Sequence, residues 1–466
     1  MQLKGKRFEP AVDPPHLTAG RTAAYVAAIL VCLGIFKLLD LGYIRSPFAP
    51  PPTPTRMALS YAEEGKAFFD AGILSKSIVA YYRALGVNPD NPVWWPGSGA
   101  PEDLATWMAG VDKTHSQWWA ELARIQTYSS ELMLSTDVKK ERLESALNSI
   151  GAAIAIDPDY AQGWAIKTLV LDWYANSEWM DAETRGKTLG EAYQASAQAL
   201  LLDPSDALAL AFRAEVLVDQ ASWSTALDVG AQAAQLGPEI MDVHRAYAYV
   251  LESNGYYTRA VEEYLQAIRL NTNLPFLYMR LGANYRKLGE TAADTATRDL
   301  MIDQAIEAFL RAADLNPSDP IPYLSIAQTY ANQGDFFAAE IYARKALDLD
   351  NTDPYLYGKL GVIYYKAKNY ETAIKVLRCA VRGCLAAENE EQEVEVGPTT
   401  LSAKTVDIYY TYGSVLSFYG NEAGNCEEAA KIFAELRDSP YDDEIVEGII
   451  REGEVICAAF ARTPTP

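Results

Sequence analysis

The chain has 466 residues, 49% of them hydrophobic and 22% charged, the balance of a folded protein and not of a disordered one. Forty Lys and Arg stand against 62 Asp and Glu, a net charge of −22, and so acidic a chain repels phosphate backbones, which argues against nucleic acid as a partner. Three histidines far apart in sequence and five cysteines without a Cys-x-x-Cys pair supply no metal or redox motif.

The charge is unevenly spread. Residues 1–56 hold seven basic and three acidic side chains, net +4, leaving −26 for the rest. After a short basic tail, 1–21, residues 22–36 (TAAYVAAILVCLGIF, with Cys32) carry no charge. The stretch extends to Ile44 through Lys37 and Asp40, which stand three apart and share a helix face. A bilayer needs about 20 apolar residues, so 22–44 is read as one transmembrane signal-anchor helix. A cleaved signal peptide is the alternative, opposed by the proline that follows Phe48-Ala49. Lys4, Lys6, Arg7 and Arg21 precede the helix and only Arg45 and Arg56 follow closely, which predicts a cytoplasmic N-terminus and an extracytoplasmic body. Residues 45–56 form a Pro-rich linker, expected as an extended, stiff spacer.

From residue 57 a period emerges. Turn-marking prolines stand at Pro89, Pro158, Pro204, Pro238 and Pro317, with 34 residues from Pro204 to Pro238. Counting 34 onward from Pro238 and Pro317 reaches Thr272 and Asn351, in polar stops of the same kind. One unit reads Tyr278, Leu281, Gly282, Tyr285, then Ala305, Phe309, Ala312, Pro317; the next two run Tyr323, Ile326, Ala327, Tyr330, Ala339, Ala343, Ala346 and Tyr357, Leu360, Gly361, Tyr364, Ala373, Leu377, Ala380. Others keep Gly65, Phe68, Tyr81 and Ala84; Ala260, Tyr264 and Ala267; and Tyr409, Tyr412, Gly413, Ala429 and Phe433.

This pattern resembles the tetratricopeptide repeat, whose unit is W-x2-L-G-x2-Y, A-x3-F and P over 34 residues. About nine units cover 57–437, so the expected fold is all-α: a right-handed α-solenoid of stacked helix-turn-helix hairpins, helical through residue 385, preceded by the membrane helix. Small Gly or Ala residues sit where paired helices cross, and aromatics fill the adjoining holes. Two units exceed 34 by 11 or 12 residues, near 175–188 and 290–303, and a third near 127–138 is of uncertain start. Either longer helices or longer loops would absorb the excess.

Residues 92–119, with five tryptophans, lie outside the pattern and are read as packing over the start of the array; a partner or membrane contact is the alternative. Residues 388–396, ENEEQEVEV, are read as a solvated acidic loop. Residues 438–466 are the capping helix and tail, with Ile445, Ile449 and Ile456 near one face. In an exported body the late cysteines meet an oxidising compartment. Cys426 and Cys457 come to similar heights on neighbouring helices, so a bond would staple the cap to the array, leaving Cys379 and Cys384 to pair locally. Four cysteines allow three connectivities, and buried free thiols are the alternative.

No catalytic constellation appears. Gly186-Lys187-Thr188 lacks the glycine a phosphate loop needs, with Asp181 in its place. Asp348, Asp350 and Asp353 lack the glycine of a calcium loop and read as turn caps. The chain is therefore expected to be no enzyme and to need no cofactor or metal.

The resemblance implies a concave groove lined by first helices that takes a protein or peptide. Its slots map to Asp172, Trp173, Glu215, Asp219, Arg245, Tyr249, Phe276, Met279, Arg286, Lys287, Gln328, Asn332, Tyr355, Tyr365 and Lys366. The Lys and Asn clamp by which some members hold a terminal carboxylate is missing. A membrane-tethered scaffold or assembly factor is the leading reading; a self-assembling structural array, or an envelope enzyme with an unrecognised site, are the alternatives. The lack of a glycosylation acceptor favours a bacterial source.

Overall fold

The computed structural model describes residues 56–87, 113–133, 135–389, 392–420, 422, 424–441 and 443–462, with shorter pieces at 23–24, 26–31 and 37. The basic tail, nearly all of the linker, most of 22–44 and the 92–112 part of the Trp-rich insert lie outside them. The chain divides into Met1–Met57 and Ala58–Pro466. In the first unit residues 23–24 and 26–31 are helical, and Val26, Ile29, Leu30 and Val31 are exposed. Among the described residues no helix is long and apolar enough to cross a membrane.

The second unit is an array of helical hairpins. In chain order these are α1 (Ala58–Asp70) with α2 (Leu74–Ala84), α3 (Lys113–Ser130) with α4 (Thr136–Ile156), and α5 (Ala161–Ala175) with α6 (Ala182–Leu202). Then come α7 (Ala207–Asp219) with α8 (Trp223–Leu236), α9 (Met241–Ser253) with α10 (Tyr257–Leu270), and α11 (Pro275–Thr291) with α12 (Thr295–Leu315). The last three are α13 (Ile321–Gln333) with α14 (Phe336–Leu349), α15 (Pro354–Lys366) with α16 (Tyr370–Arg382), and α17 (Val406–Phe418) with α18 (Asn425–Arg437), followed by a final helix α19 (Glu444–Arg462).

Local chemistry sets the helix ends. Asp181, Asp206, Asp294, Asp335 and Asp353 each accept a hydrogen bond from an amide of the turn they open, a cap contributing about 1 kcal/mol. Pro275 and Pro354 stand at the first position of α11 and α15, where a missing N–H costs nothing. Gly334 ends α13 in the left-handed region, φ +83°.

Most of the extra residues of the long units enter helices and not loops. Helices α4, α6 and α12 each have 21 residues, against 14 in α8, α10 and α14. The α5–α6 connection is six residues and the α11–α12 connection three. Three added residues or four keep an apolar stripe on one side of a helix, so two or three more turns lengthen the packed seam without breaking it.

The array curls tightly enough for its first hairpin to meet its sixth. Asn271 and Asn273, in the turn before α11, donate to the carbonyls of Phe69 and Asp70 at 3.4 and 3.3 Å. Tyr128 of α3 stacks between Phe69 and Phe276, with ring centroids 6.5 and 5.2 Å away, and meets the edge of Trp173 at 5.4 Å. Its hydroxyl donates to Asp242 of α9, and Arg124 donates to the other oxygen of that carboxylate at 2.8 Å.

Three expectations are corrected. The acidic segment is not a loop: β1 (Cys384–Asn389) and β2 (Gln392–Val396) pair antiparallel, Cys384 opposite Val396. The strand begins two residues inside the stretch read as wholly helical. The alternation Glu393-Val394-Glu395-Val396 is a period of two, and Val396 is 1% exposed. Residues 113–119 of the Trp-rich insert are the opening turns of α3, where Trp119 is buried. The cap buries Val446, Ile450 and Gly453, while Ile445 is 72% exposed. Gly453 lets the Phe433 ring approach so closely that a Cβ would meet it at 2.5 Å. Cys426 is bonded to Cys457, joining α18 to α19, and Cys379 is bonded to Cys384 at the entry to the hairpin.

Candidate functional site

Inside the curl lies a cavity of about 770 Å³. First helices supply its floor: Asp172 and Trp173 from α5, Glu215 and Asp219 from α7, Arg245 and Tyr249 from α9, Phe276 and Met279 from α11, Gln328 from α13, and Tyr355 from α15. These ten of the groove positions mapped in sequence come together.

The remaining five lie elsewhere. Arg286 donates to the Ser325 carbonyl at 3.4 Å and covers the Phe309 ring. Lys287 pairs with Glu290 at 3.0 Å, and Asn332 donates to the other oxygen of that carboxylate at 2.9 Å. Tyr365 packs on Tyr370, with centroids 5.7 Å apart, and Lys366 is exposed at the end of α15.

Arg245 belongs to the framework and is not a free anchor. It is 5% exposed and donates two bonds to Glu215, at 2.7 and 2.5 Å. Its guanidinium lies 5.5, 5.6 and 5.9 Å from the rings of Tyr128, Trp173 and Phe212. A forked donor matched to a carboxylate is the geometry in which a buried pair holds its charge.

The acids beside that pair are arranged differently. Asp219 accepts from the Tyr249 hydroxyl at 2.9 Å and from Asn176 at 2.8 Å, and Arg185 stands 3.9 Å away. Asp172 is 3% exposed, and its Oδ1 has no partner. Burial, and then the Asp219 and Glu215 carboxylates, hold the Asp172 carboxyl well above the usual range. Asp219 and Glu215 are also raised by burial, opposed in Asp219 by the Tyr249 and Asn176 bonds and in Glu215 by Arg245. Burial pushes the Tyr355 phenol, on the far wall, up to about 12.

Eight carboxylates line the cavity against four cations, Lys139, Arg245, Arg280 and Lys404. Lys139 pairs with Glu131 at 2.7 Å, Arg280 pairs with Glu252, and Lys404 lies 4.7 Å over the Tyr355 ring. Counting first-helix slots could not find Glu131, Trp179, Asp319 or Lys404. They come from turns and from the segment before α17, which reach the cavity only because the array curls.

Among the described residues no group of three or more His, Cys, Asp and Glu is placed to hold a metal ion.

Family models described as tetratricopeptide repeat match residues 246–274 and 293–354. Among solved structures, human IFIT1, as a dimer with m7Gppp-AAAA, is 13% identical with a TM-score of 0.53, over 88% of this chain and 91% of that one. MamA is 23% identical over 37% of this chain and 96% of its own, TM-score 0.31. A thermophilic tetratricopeptide-repeat protein from Thermus thermophilus is 21% identical over 35% of this chain and 84% of its own, TM-score 0.31. No curated protein matches the chain. At these identities the likeness to IFIT1 is one of fold.

Proposed function

The chain is a tetratricopeptide-repeat protein, and from that premise we propose that it holds a segment of a partner protein in its cavity, as a membrane-tethered scaffold or assembly factor and not as an enzyme. The observation that carries the reading is the cavity itself: about 770 Å³, walled by aromatics and framed by helices of successive hairpins. Repeats stacked as a right-handed superhelix present such a surface as one rigid body. A binding role fits the pairing of three of its four cations with carboxylates of the array, which leaves them as framework and not as acid–base groups.

IFIT1 was solved with a capped RNA. The surplus of carboxylates here disfavours a phosphate chain, so a protein segment is the ligand proposed.

The tether is assigned to 22–44, where Val26, Ile29, Leu30 and Val31 are exposed apolar side chains suited to lipid. The excess of basic residues before it orients the body to the outer side, where Cys426–Cys457 and Cys379–Cys384 would persist as disulfides. Protease protection of sealed vesicles, with thiol counting on the extracted chain, tests this part. A cleavable body and no reactive thiol among the four is expected; a protected body with four free thiols overturns it.

Photo-crosslinking in native membranes tests the scaffold. A photoreactive residue at Met279 or Gln328, inside the cavity, is expected to capture one discrete protein, and the same residue at the exposed Leu201 to capture none. Equal capture at all three positions, or none at any, overturns the reading.

A further inference from the structure

Resting on that reading, we propose that the Asp172–Asp219 corner of the cavity is the seat for a positively charged side chain, the guanidinium or ammonium of an arginine or lysine in the bound segment. Two independent observations point to a cation. The first is Asp172, a residue of the cavity lining that is more than nine-tenths buried and whose carboxylate oxygen Oδ1 has no partner. A buried polar atom left unmade costs about 1–3 kcal/mol, and the residue that carries this one lines the cavity.

The second is the accounting of charge around it. From α7, Glu215 is neutralised by the two bonds from Arg245 of α9. Asp219 receives only neutral donors, Tyr249 from α9 and Asn176 from the turn after α5, with Arg185 of α6 peripheral at 3.9 Å and 41% exposed. No cation among the described residues thus stands within hydrogen-bond distance of Asp172 or Asp219. A cation entering the corner pairs with both carboxylates, and the proton that burial holds on Asp172 passes to water.

The walls suit the same ligand. Trp173 and Tyr249 line the cavity beside the corner, and aromatic faces attract cations most when both are desolvated. The neighbouring Arg245 shows how this aromatic set takes a guanidinium, 5.6 Å from Trp173. Two carboxylates with aromatic neighbours favour an organic cation over a metal ion, which would require more oxygen ligands. A terminal carboxylate or phosphate is repelled by the eight acids of the lining.

Random twelve-residue peptides displayed on phage are selected on the full-length chain in nanodiscs. The best peptide is then remade with citrulline in place of arginine, or norleucine in place of lysine, and its binding is followed by fluorescence anisotropy. The selected peptides are expected to share a basic residue. Neutralising it, or substituting Asp172→Asn, weakens binding at least tenfold. Glu262→Gln, exposed on α10, changes binding less than twofold. Affinity rises from pH 5.5 to 8 as the Asp172 carboxyl, raised by burial, becomes easier to ionise.

Selection of peptides without a basic residue, or equal binding by Asp172→Asn, overturns the seat and leaves the scaffold standing. Spermidine binding as tightly as the peptide assigns the corner to free amines and overturns the peptide side chain. Selection of no peptide at all removes both readings together.

Discussion

Gly282 of α11 lies so close to Phe309 of α12 that a Cβ added to it would stand 2.6 Å from the ring. Gly361 against Leu377 and Gly413 against Phe433 repeat the relationship, at 2.6 and 2.4 Å. Phe309 is 1% exposed and has no space into which to move. Gly282→Val is therefore expected to destabilise the array by about 1–3 kcal/mol through overpacking. Urea melts of the full chain followed by circular dichroism measure it. Gly190→Ala, where nothing lies within 4 Å, serves as the comparison. It is expected to gain about 0.5–1 kcal/mol, because alanine outranks glycine in a helix.

The Arg245–Glu215 pair answers to a different rule. Removing one partner leaves a buried, uncompensated charge, whereas removing both leaves an apolar contact. Arg245→Met alone is expected to cost about 3–5 kcal/mol. The double variant Arg245→Met, Glu215→Leu should recover most of that loss. A double-mutant cycle in urea separates the outcomes, and additive losses would mean that each residue acts through other contacts.

His244 gives the fold a pH dependence. Its Nδ1 donates to Glu263 at 2.6 Å, and Nε2 stands 2.9 Å from the Pro238 carbonyl, so both nitrogens face acceptors and the charged ring is favoured. The hydrogen bond to Glu263, opposed by burial, raises its pKa above the ordinary value. A raised folded pKa means stability fully present below the unfolded value of about 6.5 and lost as pH rises through the folded one. The melting difference between the wild type and His244→Gln should be largest near pH 5.5 and shrink toward pH 9. A difference that grows with pH would show that the ring is held neutral.

The hairpins were legible because each repeat states its own physics: Gly282 and Phe309 report a close crossing, Pro275 and Asp353 report helix starts. The floor of the cavity was legible for the same reason, since Trp173, Tyr249 and Met279 stand at groove-facing slots of first helices, four residues apart in register. What the repeat did not encode is curvature. The contact of Tyr128 with Asp242, 114 residues apart, and the arrival of Asp319 and Lys404 at the cavity depend on small rotations summed over several hairpins. The β1–β2 hairpin was hidden by its acidity: Glu393 and Glu395 read as a solvated run, although Val394 and Val396 alternate with them. The cap face was misplaced by one residue, Ile445 for Val446, because a lone amphipathic helix does not say which edge of its stripe the array will cover.

Asp172 should make the protein less stable than it could be. Its carboxyl is raised by burial and then by Asp219 and Glu215, so the folded chain retains a proton that the unfolded chain releases above about pH 4. Stability contributed by that group is present below the unfolded pKa and declines as pH rises toward the folded one. Asparagine keeps the shape and does not titrate. Asp172→Asn is accordingly expected to melt with the wild type near pH 4 and roughly 2 °C above it at pH 7.5, measured on the full chain by scanning fluorimetry. A variant that is both more stable and unable to hold a basic peptide would separate binding from folding at this residue, as expected where a site is kept polar for a ligand. Lower stability at every pH would instead make Asp172 a part of the framework, like Glu215.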